Sequence, residues 1–526
     1  MQLHPTRTTL HVAVAGGALV ALGAAARLAP VVAFGGAMLL AIALGRAIAL
    51  VSVTRLREGG FEMVWLASTR VCRAVRGGTL RIDAELRNRS REAVSCLRLR
   101  PIAAGMLAAT VEPTEFHLPA GGCASVALTV RAKRVGRYGI HGLALEVRGT
   151  ALGGEAPYEV PLLFASPLGV EVLPRSLAAH IDSPRGGRSR RSSEIGRPAT
   201  LAGDGDQLRE LRDHAPGDPF RRIAWKASAR RGRLLVREME RDDCDVVWLV
   251  VDASVELLAG EAGLAPMDRV IEEAAHSATL ALRRGDRVGL VVAASRLHAW
   301  IEPNRGAAQG AAIARALAAA SSCVDADRSE LDEIGVARLV AEHARPLDPR
   351  GPVDVKHMKE TQLDALAQRA EVLRARAPFS PSSLFAHTPR ELALRNYMAA
   401  FGIESPPSLR GERGKTETVL AQVLEKLVTH KPRASLLYVW ALPPSSPHAT
   451  AKAIARLRAR SIELRWRLPP LDAGIGAERV RRGAVADVVD EAVRTRARAM
   501  VLRGERQLRR LGVRLVASRA GAKAGL

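Results

Sequence analysis

The sequence predicts a multi-domain chain. An N-terminal transmembrane helix hairpin leads into a β-sandwich, and then into a Rossmann-like α/β domain that carries a helical insertion. Three observations predict this. Two apolar runs, 8–26 and 28–45, stand at the head of the chain, each close to the ~20 residues that cross a hydrocarbon core. Short stretches of alternating polarity, separated by Gly, Pro and Asn, fill 62–174 and argue an antiparallel sandwich. From residue 245 onward, Val-rich runs alternate with helical periodicity, as in a parallel sheet covered on both faces. A chain of 526 residues has room for several domains with cores of their own. The expected boundaries are 1–57 for the hairpin, 58–175 for the sandwich and 176–244 for a basic linker with a motif. The α/β domain takes 245–324 and 431–526, and the helical insertion takes 325–430.

Only Arg27 and Pro30 interrupt the two apolar runs, which reads as a tight turn between two helices. A cleaved signal peptide would be followed by polar mature sequence, whereas here a second apolar run follows at once. Arg7 precedes the pair, Arg46, Arg55 and Arg57 follow it, and the turn carries one Arg. The positive-inside bias then places both termini in the cytoplasm. Five scattered cysteines without a C-x-x-C pair suggest neither a disulfide framework nor a zinc site and suit a reducing compartment.

In the sandwich, 81–86, 125–130 and 138–147 alternate polar and apolar residues, and no cluster of catalytic residue types lies among them. The linker 183–197 holds Arg185, Arg188, Arg190, Arg191 and Arg197 among Ser and Gly, a composition that cannot bury a core. The whole chain carries 78 Lys and Arg against 54 Asp and Glu, a net charge of +24. That balance fits an anionic partner, lipid or nucleic acid; it fits equally a membrane protein that keeps its basic mass on the cytoplasmic side. An aromatic content of 3% weighs against nucleic acid, where bases need stacking platforms.

In the α/β domain, strands are expected at 246–251, 287–294, near 300, 434–442, 462–468 and 513–517. Helices are expected at 267–284, 307–320, 450–460 and 484–502. The insertion reads as helices 330–344, 361–376, 389–401 and 415–429, with Pro-rich breaks at 346–352, 378–381 and 406–407. The run Gly411-Glu412-Arg413-Gly414-Lys415-Thr416 has Leu409 where a phosphate loop needs its first Gly, and no strand precedes it. Helix initiation explains it better.

Residues 204–254 form a charged Gly-rich loop, a turn at Pro216-Gly217-Asp218-Pro219, a basic stretch and a buried strand that ends in Asp252-Ala253-Ser254. Within it, 208–230 reads LRELRDHAPGDPFRRIAWKASAR. This resembles the signature of a bacterial family, domain of unknown function 58 (DUF 58). The matching residues are Pro216, Gly217, Asp218, Arg221, Arg222, Ile223, Trp225, Lys226, Ser228 and Arg230. Pro219 and Ala224 stand where the family has Asp, and His214 sits near its Tyr. Gly136-Arg137-Tyr138 is a further segment common in the family. The resemblance implies a two-pass protein of the bacterial inner membrane whose C-terminal half resembles a von Willebrand factor A domain. It also implies a protein partner, a MoxR-type AAA+ ATPase, in assembly or envelope processes.

Von Willebrand factor A domains often bind a divalent ion through Asp-x-Ser-x-Ser after the first strand, with a distant Thr and Asp; hard cations take oxygen ligands. Asp252 and Ser254 match, so they are the residues on which a Mg²⁺ site would rest. Position 256 is Glu, no Thr lies between Thr279 and Thr361, and the strand at 435–440 leads into Ala441-Leu442-Pro443-Pro444 without an Asp. In the absence of an ion, Asp252 and Ser254 would cap a helix start. No other cofactor is expected.

The function expected is that of a membrane-anchored interaction or adaptor protein and not an enzyme, since neither H-E-x-x-H nor a strand followed by G-x-S-x-G occurs. The alternatives are divalent-metal-dependent ligand binding or hydrolysis at the sheet edge, and nucleic-acid or anionic-lipid binding through the Arg-rich segments. The signature is expected to form a joint between sandwich and α/β domain. Trp225 would then be largely buried, and the Arg residues paired with acids such as Asp218. The insertion is expected to anchor at the amino edge of the sheet, opposite Asp252.

Overall fold

The computed structural model describes residues 4–5, 7–91, 93–96, 98–148, 157–177, 197–216, 218, 220–243, 245–344, 359–380, 384–445, 447–471 and 484–516. The chain divides into two compact units, Met1–Val172 with Ser322–Ser408, and Leu173–Ser321 with Leu409–Leu526.

The first unit begins with β1 (His4–Pro5), α1 (Arg7–Ala25) and α2 (Ala29–Gly59). Within α2, Ala29–Ile48 is long and apolar enough to cross a membrane; α1 holds a shorter apolar stretch, Thr9–Ala25. The two helices pack along each other at Gly16 and Gly35, where a Cβ on Gly35 would strike the Gly16 carbonyl. Next come β2 (Phe61–Trp65), β3 (Val71–Val75), β4 (Thr79–Asn88), β5 (Val94–Cys96), β6 (Arg98–Ala103), β7 (Leu107–Glu112), β8 (Phe116–Leu118), β9 (Cys123–Ala132), β10 (Gly136–Arg148) and β11 (Pro157–Leu173). One sheet runs β2-β4-β9-β7. The other runs β1-β11-β10-β6, with β3 beside β11. Alternation along β4 and β9 buries Ile82, Ala84 and Leu86 against Val126, Leu128 and Val130, and the opposite sheet adds Ile140, Leu143 and Val170.

The second unit opens with a hairpin, β12 (Arg197–Asp213) and β13 (Leu235–Asp243), whose connection contains α3 (Trp225–Arg231). Residues 204–213, expected as a loop, therefore pair as strand. The Gly-rich composition shows up instead as register shifts between Ala199 and Ala202 and between Gly203 and Leu208, as bulges do. Of the basic linker, Arg197 begins β12, and 183–196 lie outside the described residues. After the hairpin come β14 (Val246–Asp252), α4 (Pro266–Arg283), β15 (Arg287–Ala293), β16 (Leu297–Asn304) and α5 (Gly306–Ala320). Every residue of β14 is buried, which is why it reads as a continuous apolar run.

The chain then leaves for α6 (Glu333–Ala344), α7 (Glu360–Leu373) and α8 (Pro389–Phe401), all in the first unit. These helices share a core of Val336, Val340, Leu366, Leu394, Tyr397 and Phe401. They seat on β10: Gly139 donates its N–H to the Gly402 carbonyl at 3.3 Å, a Cβ on Gly139 would strike the Phe401 carbonyl, and one on Gly402 would strike the Gly139 nitrogen. Gly402 ends α8 at φ 66°, a left-handed position suited to Gly. The break at 346–352 and Pro381 lie outside the described residues.

The second unit resumes with α9 (Arg413–Thr429), β17 (Leu436–Trp440), α10 (Pro447–Ala459), β18 (Glu463–Arg467), α11 (Ala484–Arg510) and β19 (Arg514–Leu515); Ala517, the expected end of the last strand, lies outside the described residues. The six-stranded sheet has the order β16-β15-β14-β17-β18-β19, parallel except for β16. Two expectations about the insertion fail. The helix expected at 415–429 belongs to the α/β core, where Leu420, Leu424 and Leu427 of α9 pack on Trp248 and Val439. The excursion also starts and ends at the carboxyl edge, not the amino edge. Antiparallel β16 descends, so α5 climbs back; α9 starts beside Glu256 and Pro443, at the ends of β14 and β17.

Between β10 and the helices, His343 Nε2 lies 3.1 Å from His141 Nδ1, and His343 Nδ1 lies 2.8 Å from the Tyr397 hydroxyl. Burial pushes His141 down from 6.5 to about 4 and His343 well below its ordinary value, the second with a contribution from the first. Above pH 6.5 both rings are neutral in the folded and unfolded chain. As pH falls from 6.5 toward about 4, only the unfolded chain takes up protons, so stability is lost in that window. His343→Gln is expected to flatten the acid limb of melting temperature against pH; an unchanged slope would remove these rings as its cause.

Candidate functional site: a displayed signature and a closed sheet edge

The β12–β13 hairpin closes on one carboxylate. Arg212 donates from Nη1 and Nη2 to the two oxygens of Asp218, at 2.8 and 2.6 Å, and the Ala215 N–H donates to Asp218 Oδ2 at 2.8 Å. The hydrogen bonds from Arg212, then that from Ala215, hold Asp218 down at about 2. Bidentate Arg–carboxylate pairs add geometric specificity to attraction. The chain then makes a 3₁₀ turn, Phe220–Arg222, and Ile223 bridges to Val236, both buried. Ser228 Oγ donates to the Ala224 carbonyl at 3.0 Å and accepts the Leu235 N–H at 2.9 Å, locking α3 onto β13. Gly232, at φ 67°, ends the helix.

This scaffold holds the remaining signature residues in solvent. Trp225 is 62% exposed and Phe220 75% exposed. Lys226, Arg230, Arg231 and Arg233 are exposed around them. The expected buried joint is therefore corrected. Ile223, Ala224 and Ser228 are buried, and Trp225 and Lys226 are exposed. Asp218 pairs with Arg212 and not with the later arginines. Arg222 is half-buried; nothing is described of the Arg221 side chain, and Gly217 and Pro219 lie outside the described residues.

At the carboxyl edge of the sheet, Asp252 is 3% exposed. Its Oδ1 accepts the Ser254 N–H at 2.9 Å and its Oδ2 accepts the Leu442 N–H at 3.3 Å. Burial pushes its pKa up, opposed by the Ser254 and Leu442 hydrogen bonds and by the charge of Arg413. Ser254 precedes the 3₁₀ turn Val255–Leu258 without a side-chain cap, so capping falls to Asp252 alone, through the Ser254 N–H. Arg413, at the start of α9, donates to the Pro443 carbonyl and pairs with Glu417 at 3.2 Å. Glu417 in turn accepts from the Ser445 N–H and hydroxyl, both at 2.7 Å. The Glu256 carboxylate lies against Gly411.

These residues offer Mg²⁺ few ligands. A hard cation wants several oxygen ligands with free lone pairs. Here each oxygen of Asp252 already accepts one backbone N–H and the Arg413 charge acts on the same carboxylate, while Ser254 Oγ and Glu256 Oε2 are buried without a hydrogen-bond partner among the described residues. Among the described residues, no group of three or more His, Cys, Asp or Glu side chains could hold a metal.

Comparison with known proteins bears on the displayed turn. Residues 210–346 match the family model "Protein of unknown function DUF58". The DUF58 match takes in the scaffold from Glu210, the exposed Trp225, β14 to β16 and the chain through α6. Uncharacterised proteins of Mycobacterium tuberculosis (Rv1480) and Mycobacterium bovis (Mb1516) are each 36% identical over 93 residues, 18% of this chain. The matched stretch spans 29% of the length of these curated relatives. Among solved structures, PapD-like domain 7 of human CEP192 is 16% identical, with a TM-score of 0.17, over 22% of this chain and 86% of that one. The secreted serine protease VesC from Vibrio cholerae is 14% identical, also with a TM-score of 0.17, over 25% of this chain and 27% of that one.

Because the sheet edge is closed by protein donors, millimolar Mg²⁺ is expected to leave the melting temperature of the wild type and of Asp252→Asn unchanged. A rise in the wild type that Asp252→Asn loses would reopen the ion site.

Proposed function

We propose that this is a membrane-anchored interaction protein, an adaptor, that captures a protein partner on the turn around Trp225. The observation that carries the reading is the exposure of Trp225 and Phe220 on a turn fixed by Asp218, Ile223 and Ser228. Buried anchoring of a Trp would have made it scaffold; held outward among basic side chains, it has the composition of a binding hot spot. The basic rim of Lys226, Arg230, Arg231 and Arg233 fits a partner surface that is acidic around an apolar pocket.

In this reading α1 and α2 are a two-pass anchor in the bacterial inner membrane. The soluble units face the cytoplasm, as the basic residues flanking the outer ends of the apolar runs favour. The six-stranded sheet is of von Willebrand factor A type, a proposal supported by its strand order with one antiparallel edge strand. The partner is a MoxR-type AAA+ ATPase, on the strength of the signature resemblance, and the setting is assembly or envelope work. The protein itself performs no catalysis in this reading.

Two measurements test the proposal. Trp225→Ala is expected to weaken capture of the ATPase from solubilised membranes by about tenfold or more, the size of a hot-spot loss, while the melting temperature stays put. A fall in melting temperature with undiminished capture would make the turn structural. For topology, a reporter at the C-terminus is expected to give a cytoplasmic signal; an active periplasmic phosphatase fusion there would reverse the orientation.

A further inference from the structure

Helix α11 carries two different stripes. Ala497, Gly504 and Leu508 are buried on one side, Gly504 so close to Pro443 that a Cβ would strike its ring. Half a turn away lie Val488, Ala492, Thr495, Ala499 and Leu502, spaced four, three, four and three residues apart. Val488 is 69% exposed and Leu502 54% exposed, and Ala492 and Thr495 are exposed as well. Val489, Val493 and Met500 are exposed as well, but their three- and four-residue spacing from Ala497 puts them beside the buried stripe and not on the outer one. A four-three spacing is the seam of a coiled coil; only at its carboxyl end does Leu502 also line a cavity with Leu468, Pro469 and Pro470 of the same chain.

We infer that this outer stripe of α11 pairs with α11 of a second copy of the chain, antiparallel about a two-fold axis. Charge selects this occupant. Up to Val493 the helix carries Asp487, Asp490 and Glu491, and from there on it carries Arg494, Arg496, Arg498, Arg503, Arg506, Arg509 and Arg510, with Glu505 the one acid among them. Parallel pairing would set the arginines against one another, whereas antiparallel pairing sets each acidic half on a basic half and opposes the two helix dipoles. An isologous contact needs a self-complementary register. One exists: Val488 lies opposite Ala499 of the second copy, and Ala492 opposite Thr495. Small residues at the middle let the backbones approach. In that register the flanking Glu491 meets Arg498 of the other copy, and the two-fold axis makes the pair occur twice. Within one copy Glu491 pairs with Arg494 at 3.2 Å, and exposed pairs of this kind are worth little.

The test is the protein mass of the full-length chain in detergent, measured by light scattering across a range of concentrations. The wild type is expected at twice the chain mass, and Val488→Asp with Leu502→Asp at the single-chain mass. Glu491→Arg is expected to shift the equilibrium toward the single chain, and adding Arg498→Glu to restore the doubled mass, which a merely misfolded variant would not do. A wild type that is a single chain at every concentration overturns the inference. So does a doubled mass that survives the two Asp substitutions, or a charge swap that fails to restore it.

Discussion

The Arg212–Asp218 pair is the constraint on which the displayed part of this protein depends. One carboxylate accepts from both terminal nitrogens of one guanidinium and from one backbone N–H. It thereby fixes where the chain leaves β12 and where the 3₁₀ turn begins. The Ile223–Val236 bridge and the Ser228 hydroxyl carry that fixed direction into α3. An exposed Trp on a mobile loop would lose much of its contact energy to ordering on binding. Trp225 sits at the first position of a helix already tied to a strand, so little is left to order. The signature thus divides by role. Asp218, Ile223 and Ser228 hold the turn, and Trp225, Lys226 and Arg230 are presented by it.

A second carboxylate shows how a sheet edge can be closed without a metal. The carboxyl ends of parallel strands gather open loops, and that is where ligands collect in such sheets. Here the ends of β14 and β17 are drawn together by Asp252, which spans from the Ser254 to the Leu442 N–H. The start of α9 completes the closure, with Arg413 reaching Pro443 and Glu417 reaching Ser445. A buried carboxylate without a cation would be costly. The Arg413 charge and two N–H donors offset part of that cost, and burial still holds the carboxyl above its ordinary value. The same arrangement explains why Gly occupies position 411, since any side chain would displace Glu256.

What was legible in the sequence follows from what is local. Val246 to Asp252 read as a buried strand because a fully covered strand needs no polar face, and 287–294 and 462–468 fell within a residue or two of β15 and β18. The placement of α6 to α8 was not legible. Their seat on β10 depends on Gly139, Gly402 and the His141–His343 contact, residues far apart in sequence and unremarkable singly. Helix α9 was assigned to the insertion because the Pro406-Pro407 break and the Gly-rich run before it look alike as boundaries, and only the packing of Leu424 on the sheet separates them. Trp225 was misjudged for a different reason. A Trp amid Ile, Ala and Ser has the composition of a core, yet the buried position of α3 goes to Ser228, whose hydroxyl ties the helix to β13. The Asp252-Ala253-Ser254 run was visible, but its saturation by backbone donors was not, because one donor comes from residue 442.

Helix α11 carries the same lesson in a form the sequence does contain. A helix laid on one body needs one apolar stripe, and 497, 504 and 508 provide it. A second stripe at heptad spacing on the outer side is unfavourable in water, and a string of lysines would have served solubility better. The positions between the stripes are not neutral either. Apart from Glu505, acid precedes base along the helix, the arrangement that makes a helix its own antiparallel partner. If the apolar amino terminus holds the chain in a membrane, as proposed, copies meet at raised effective concentration, so even a short seam of Val, Ala, Thr and Leu can pair. Pairing through α11 would present the Trp225 turn twice, and two weak captures of a partner with repeated subunits multiply where one would not hold.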